Sequence, residues 1–205
     1  MPSADHEVAK TDVAGQRVTS NRDGPRWPPT GASLVGAGLV LWGVYIGLAP
    51  LRDNSFLTHL ATGRLILADG GVPTGDPYTF TARGEPWVVQ SWLASILYAA
   101  LERLGGGGAI RILVAILTAV LVAVIWMLSR RAETLLPRLV IAALAVGVGA
   151  LTWSSRPLML GLVCLALVLL IRERNWVAWP LVPIFWLWVN THGSFPIGLF
   201  VLAVV

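Results

Sequence analysis

The chain has 205 residues, of which 56% are hydrophobic and only 13% charged, and its mean hydropathy is +0.72, outside soluble globular usage and inside the class of multi-spanning membrane proteins. The net charge of +4 does not mark a nucleic-acid binder, because the arginines stand at the ends of apolar runs, where they orient a chain in a bilayer. Its one cysteine, Cys164, lies inside an apolar run, which excludes a disulfide framework and a thiol metal site.

Residues 1–31 are polar, mix both charge signs and end in a Pro-rich segment. They are expected to form a disordered cytoplasmic tail; no apolar stretch follows the first charges, so they do not read as a signal peptide. Residues 32–50 carry no charge and are long enough to cross a ~30 Å hydrocarbon core at about 1.5 Å per residue. Lys10, Arg17, Arg22 and Arg26 precede them and favour a cytoplasmic N-terminus.

The next stretch would then face outward, and it holds Asp53, His59, Asp69, Asp76 and Glu85. Phe56, Leu57, Leu60, Leu65 and Leu67 recur at helical spacing, which predicts an amphipathic helix over 55–69. Glycines and prolines then predict turns, with a short strand, over 70–86. Residues 87–104 form an apolar run whose placement is decided by charge. If it crossed, Arg130, Arg131, Arg138, Arg172 and Arg174 would all fall outside; if it lies in the interface, all five fall inside, as membrane proteins prefer. It is therefore read as a second interfacial helix with Trp87, Trp92 and Tyr98 at headgroup level.

Four glycines at 105–108 break this helix. Residues 109–128 run inward, 137–153 outward, 154–157 turn tightly outside, and 158–171 run inward again. Residues 176–189 return with Pro180 and Pro183 expected to kink the helix and Trp176, Trp179, Trp186 and Trp188 at its interfaces. They deliver Asn190, Thr191, His192 and Gly193 to the outer face. The helix begun at 194–205 is too short to cross, and its open apolar end suggests the N-terminal part of a longer protein or a shortened reading frame. The expected organisation is thus an all-α, multi-pass transmembrane domain over 32–205, with 51–108 as an extracytoplasmic loop carrying two interfacial helices.

This topology assigns Asp53, His59, Asp76, Arg156, Asn190 and His192 to one side, at or near helix ends. A carboxylate at a membrane surface, with a cation and an imidazole beside it, suits transfer chemistry on a lipid-linked phosphate. Each residue also has a plainer reading. Asp53 is a solvated helix-end carboxylate, His59 a helix-surface or buried hydrogen-bonded residue, and Asp76 a turn residue. Arg156 reaches to headgroups, and Asn190 and His192 cap a helix. The glycine run is not followed by Lys-Ser or Lys-Thr and forms no P-loop, and no G-x-S-x-G, H-E-x-x-H or paired C-x-x-C occurs. There is neither an internal repeat nor a mid-span charge of the kind ion-coupled transporters use.

Asp53 just after the first apolar run, the helix HLATGRLILADG, the segment Glu85-Pro86-Trp87 and the glycine break together resemble the start of the GT-C glycosyltransferases. The protein O-mannosyltransferase and aminoarabinose transferase families, which use polyprenyl-phosphate sugars, are the nearest. The chain is also similar to a bacterial group of multi-spanning proteins. The residues that carry this are Asp53, His59, Leu60 and Gly63; Asp76-Pro77-Tyr78-Thr79-Phe80-Thr81; Arg156-Pro157; and Trp188, Asn190, His192 and Gly193. The second acid of that group's D-x-D is Ser55 here.

The resemblance spans residues 34–205 and implies a plasma-membrane enzyme that moves a sugar from a polyprenyl-phosphate carrier to an acceptor at the extracytoplasmic face. Asp53 would be its base or the ligand of a divalent metal, and Arg156 would receive the carrier phosphate. His59, Asp76, Asn190 and His192 would stand at the substrate. The competing expectations are a non-catalytic scaffold or transport component, and an inactive, shortened paralogue.

Overall fold

The computed structural model describes residues 30–204; apart from Thr30 and Gly31, the expected tail lies outside the described residues. The elements are α1 (Gly31–Gly47), α2 (Asn54–Asp69), α3 (Trp92–Leu128), a 3₁₀ turn (Ser129–Arg131), α4 (Leu135–Ala150), α5 (Leu158–Glu173), α6 (Leu181–Thr191) and α7 (Phe195–Val204). The protein is all-helical: among the described residues the strand expected near 70–86 is reduced to one isolated bridge between Gly75 and Pro86.

Local chemistry explains most boundaries. The Thr30 hydroxyl accepts from the Ser33 N–H at 3.2 Å and starts α1, Asp53 does the same for α2, and Gly70 ends α2 in the left-handed region at φ 72°. The glycine run divides α3 into two helical halves joined at a kink, since Gly105 (φ −157°, ψ 23°) and Gly106 both leave the helical region. Gly106 sits at φ 59°, ψ −154°, a region essentially closed to residues with a Cβ.

Two expectations are corrected. The helix begins at Trp92, not Trp87, because the Trp87 N–H is committed to the Thr74 carbonyl at 2.8 Å and its ring meets Tyr78 edge-on at 5.7 Å. Pro180 and Pro183 do not kink a long helix but sit at the start of a short one. There the missing N–H groups would have had no helical partner.

α3 is the central rod. Leu39, Val122, Trp126, Ala142 and Val146 join it to α1 and α4, while Leu121, Val124, Met159 and Val163 join it to α5. Against α2 it packs Tyr98, Ala99 and Ile110 on Phe56 and Leu60. The approach of α1 is close enough for the Thr118 hydroxyl to donate to the Gly43 carbonyl at 2.7 Å, which the spacing Gly43-x-x-x-Gly47 permits. α6 and α7 pack on α5 through Trp188, Cys164 and Val168. Among the described helices only Trp92–Arg131 is long and apolar enough to cross a membrane; Gly31–Gly47, Leu135–Ala150, Leu181–Thr191 and Phe195–Val204 are apolar but shorter.

The two ends of the bundle differ in chemistry. At one, Arg131 pairs with Glu173, and Arg138 stacks 3.6 Å over the Trp126 ring while donating to the Trp126 carbonyl. At the other, the end of α1, the start of α2, the α4–α5 turn and the α6–α7 corner come together.

Candidate functional site

Asp53 is the N-cap of α2, and its carboxylate gathers donors from two distant parts of the chain. Oδ1 accepts from the Ser55 N–H at 2.9 Å and the Ser55 hydroxyl at 2.7 Å. Oδ2 accepts from the Ser154 hydroxyl at 3.1 Å and from Arg156 Nε at 2.5 Å. Four donors fill the roughly four lone-pair sites of a carboxylate. Its side chain is only 10% exposed against 56% for Arg156. Burial alone would raise its pKa, but the Arg156, Ser55 and Ser154 donors together prevail and hold the carboxyl well below the usual carboxylate range.

This geometry changes the role expected of Asp53. A general base works best with a pKa near the operating pH, and a metal ligand needs a free lone pair. In this arrangement the carboxylate of Asp53 is committed to its four donors, and among the described residues no three His, Cys, Asp or Glu are grouped. What the carboxylate does is fix one edge of the Arg156 guanidinium. Ser55 supplies two of the donors, whereas a second carboxylate there would oppose the first.

Two cavities adjoin Asp53. One of about 250 Å³ is lined by Arg52, Asp53, Trp153, Ser154 and Ser155 together with Pro50 and the end of α1. The other, of about 290 Å³, runs past Arg52, Asp53, Asn54, Phe56 and Glu102. Ser155 is 4% exposed, and its hydroxyl has no hydrogen-bond partner among the described residues. A buried hydroxyl in that condition is costly, so the first cavity is suited to a polar ligand atom or water.

The histidines complete the cluster. His59 Nδ1 lies 3.4 Å from the Ser95 hydroxyl, whose own proton goes to the Ser91 carbonyl at 3.1 Å. Either atom of the His59–Ser95 contact can be the donor, depending on the tautomer of the imidazole. His192 is held by a backbone donor. Its Nδ1 accepts from the Ser194 N–H at 3.2 Å and meets the Ser194 hydroxyl at 2.8 Å, which itself accepts from Trp188 Nε1 at 3.0 Å. The neutral His192 thus carries its proton on Nε2.

Burial lowers the pKa of both imidazoles; His59 is lowered further by the charge of His192, and Asp53 opposes this. Gly161 of α5 makes room for the assembly, since a Cβ there would stand 2.8 Å from the Ser194 hydroxyl and 3.0 Å from Trp188 Nε1.

The remaining expectations resolve toward structure. Asp76 accepts from the Tyr78 N–H at 2.7 Å, the Thr79 N–H at 3.1 Å and the Thr79 hydroxyl at 2.6 Å. It is a turn residue, and its turn is tied to α2 through the contact of the Tyr78 and Thr62 hydroxyls at 3.0 Å. Asn190 accepts from Trp92 Nε1 at 2.9 Å and donates to the Trp186 carbonyl at 2.7 Å, so its amide bridges α6 to the start of α3.

Trp188 and Tyr98, each 1% exposed, are core residues and not headgroup anchors. Trp176, Trp179 and Trp186 are exposed at 53%, 71% and 59%, as interface anchors would be. Ser95, Ser154 and Ser194 went unnoticed in the sequence, although the adjacency of Ser154 to Arg156 and of Ser194 to His192 was a usable signal. Comparison with protein-family models, with curated proteins and with solved structures finds no match to this chain.

Proposed function

We propose that the protein is a multi-pass membrane protein whose extracytoplasmic face binds a polyprenyl-phosphate-linked sugar and transfers the sugar to an acceptor hydroxyl. The observation that carries this is the Asp53–Arg156 pair, formed across 103 residues, with Asp53 at the wall of two cavities. An arginine fork fixed along one edge still presents terminal N–H groups, and planar bidentate donors suit phosphate oxygens. The outer faces of α1, α4, α6 and α7 support membrane placement: Leu41, Tyr45, Leu144, Leu151, Val182 and Phe200 are 63–86% exposed, and soluble surfaces rarely carry apolar residues on this scale. Placing the N-terminus in the cytoplasm then sets Asp53 outside and the Arg131–Glu173 end inside.

In this reading Arg156 receives the charge that develops on the carrier phosphate, and Asp53 positions it. The test is a membrane assay with radiolabelled polyprenyl-phosphate sugars, comparing the wild type with Arg156→Gln. Loss of one preorganised charge-stabilising group lowers transfer by about 10²–10³-fold; equal transfer by both chains overturns the assignment.

The saturation of Asp53 by four donors favours a second reading, in which the pair is a structural clasp of a non-catalytic membrane protein. That reading requires Asp53→Asn to lower stability while the wild type fails to bind the lipid-linked sugar.

A further inference from the structure

We propose that the cavity lined by Ser155 is a phosphate-binding site, with Arg52 and the Ser155 hydroxyl as its donors. Within the transfer reaction proposed above, on which this rests, it seats the phosphate of the lipid carrier.

The hydrogen-bonding capacity left unused in this cavity belongs to donors. Its wall, around about 250 Å³, carries Arg52, Asp53, Ser154 and Ser155. Two of these are occupied with each other, because the Ser154 hydroxyl donates to Asp53 Oδ2 at 3.1 Å. The remaining lone pairs of Asp53 are taken by Ser55 and Arg156. Ser155 is 4% exposed, and its hydroxyl has no partner among the described residues, a condition that buried hydroxyls rarely keep. The wall therefore lacks an acceptor for Ser155 and a counter-charge for Arg52. A phosphate oxyanion supplies both.

The charges agree with this. Arg52 lines both this cavity and its neighbour of about 290 Å³. Each carboxylate in those two walls is already paired with an arginine from elsewhere in the chain, Asp53 with Arg156 and Glu102 with Arg64. Arg52 forms no ion pair among the described residues, so its charge is the one left over. An uncommitted guanidinium presents a planar fork of N–H groups that matches phosphate oxygens.

The Asp53–Arg156 pair acquires a second task here, since an unpaired carboxylate in the wall would repel the ligand. Elsewhere the wall is apolar, with Pro50, Leu51, Val114 and Trp153, and such surroundings strengthen a hydrogen bond to a charged group.

A phosphate group can arrive on a polyprenyl chain or free in solution. The test therefore measures binding of radiolabelled polyprenyl phosphate without sugar, and of radiolabelled inorganic phosphate, to the full chain in phosphatidylcholine nanodiscs. Saturable binding of polyprenyl phosphate is expected. Arg52→Gln should weaken it about 10–100-fold and Ser155→Ala about tenfold, as lost hydrogen bonds to a charged group do. Arg52→Lys, which keeps the charge without the fork, should fall between Arg52→Gln and the wild type. Without ligand, Ser155→Ala should unfold at the wild-type midpoint or above it, because it removes a buried hydroxyl that has no partner. A purely structural serine would give a lower midpoint and unchanged binding.

Inorganic phosphate that binds as tightly as the lipid, with the same sensitivity to both variants, upholds the site and makes the free ion its ligand. Wild-type affinity in both Arg52→Gln and Ser155→Ala overturns the site. So does a wild type that binds neither ligand, which leaves the cavity to water. The reaction fails separately: binding as expected, with no sugar transfer by the wild type, removes the transferase and leaves the phosphate site in place.

Discussion

Replacing Gly63 with alanine should push α2, and with it His59, away from α3. A Cβ at Gly63 would stand 1.8 Å from the Ser95 carbonyl oxygen, 2.4 Å from its carbon and 3.0 Å from Ala99 Cβ. The two nearest atoms are backbone, so no rotamer relieves the clash, and restoring 3.0 Å requires a retreat of about 1.2 Å. A gap of about 0.5–1 Å already forfeits a quarter to a half of each dispersion well across an interface. The contacts at risk are those of Phe56 and Leu60 on Tyr98, Ala99 and Ile110.

Overpacking of this kind costs about 1–3 kcal/mol. A clash between two backbones belongs at the top of that range, and alanine recovers about 0.5–1 kcal/mol of helix preference over glycine. The net expectation is a loss of about 2 kcal/mol. Thermal unfolding of the full chain in nanodiscs measures it, with Gly71→Ala, which meets no atom within 4 Å, as control. Equal midpoints for the two variants would refute the packing of α2 by its Gly63 face.

Acid should destabilise the protein in two steps. His59 has a lowered pKa in the folded state, so the unfolded chain binds that proton more readily, and stability falls as pH drops below the ordinary 6.5. Asp53 is also lowered; its contribution is complete above the ordinary 3.8 and is lost as pH falls further toward its folded value. Unfolding midpoints against pH should therefore show a smaller upper step in His59→Gln, with His192 supplying the remainder, and a smaller lower step in Asp53→Asn; an unchanged profile in either counts against the corresponding contacts. Asp76→Ala should loosen only its own turn, seen as faster amide exchange at Tyr78 and Thr79, with lipid-linked sugar binding intact; lost binding would return Asp76 to the site. Gly161→Ala should disturb the Trp188–Ser194–His192 chain, shifting the His192 imidazole resonances more than the unfolding midpoint, and an unmoved spectrum would show that α5 does not pack there.

The elements that local chemistry decides were readable from the sequence. The Phe56–Leu60 face, the glycine break at 105–108 and the turn before Arg156 all depend on neighbours a few residues away, and all appear where spacing places them. The convergence of Asp53 and Arg156 was also legible, because arginine counting put both at one side.

What escaped the sequence depends on distant partners. Trp87 reads as a helix start until the Thr74 carbonyl claims its N–H. Tyr98 and Trp188 read as surface anchors until Phe56 and α5 cover them. Ser55 reads as a missing acid, although its two hydrogen bonds to Asp53 make it a partner of the carboxylate. The approach of Ser95 to His59 joins residues 36 apart and has no local signal.

The Asp53–Arg156 contact also bears on how the chain is made. Arg156 leaves the ribosome 103 residues after Asp53, a delay of about 5–20 s at ordinary synthesis rates. Through that interval α1 to α4 are made before the counter-charge, and Asp53 can use only the donors of Ser55. Late closure makes the pair a checkpoint on assembly. A chain that packs α4 or α5 wrongly leaves Asp53 without its cation.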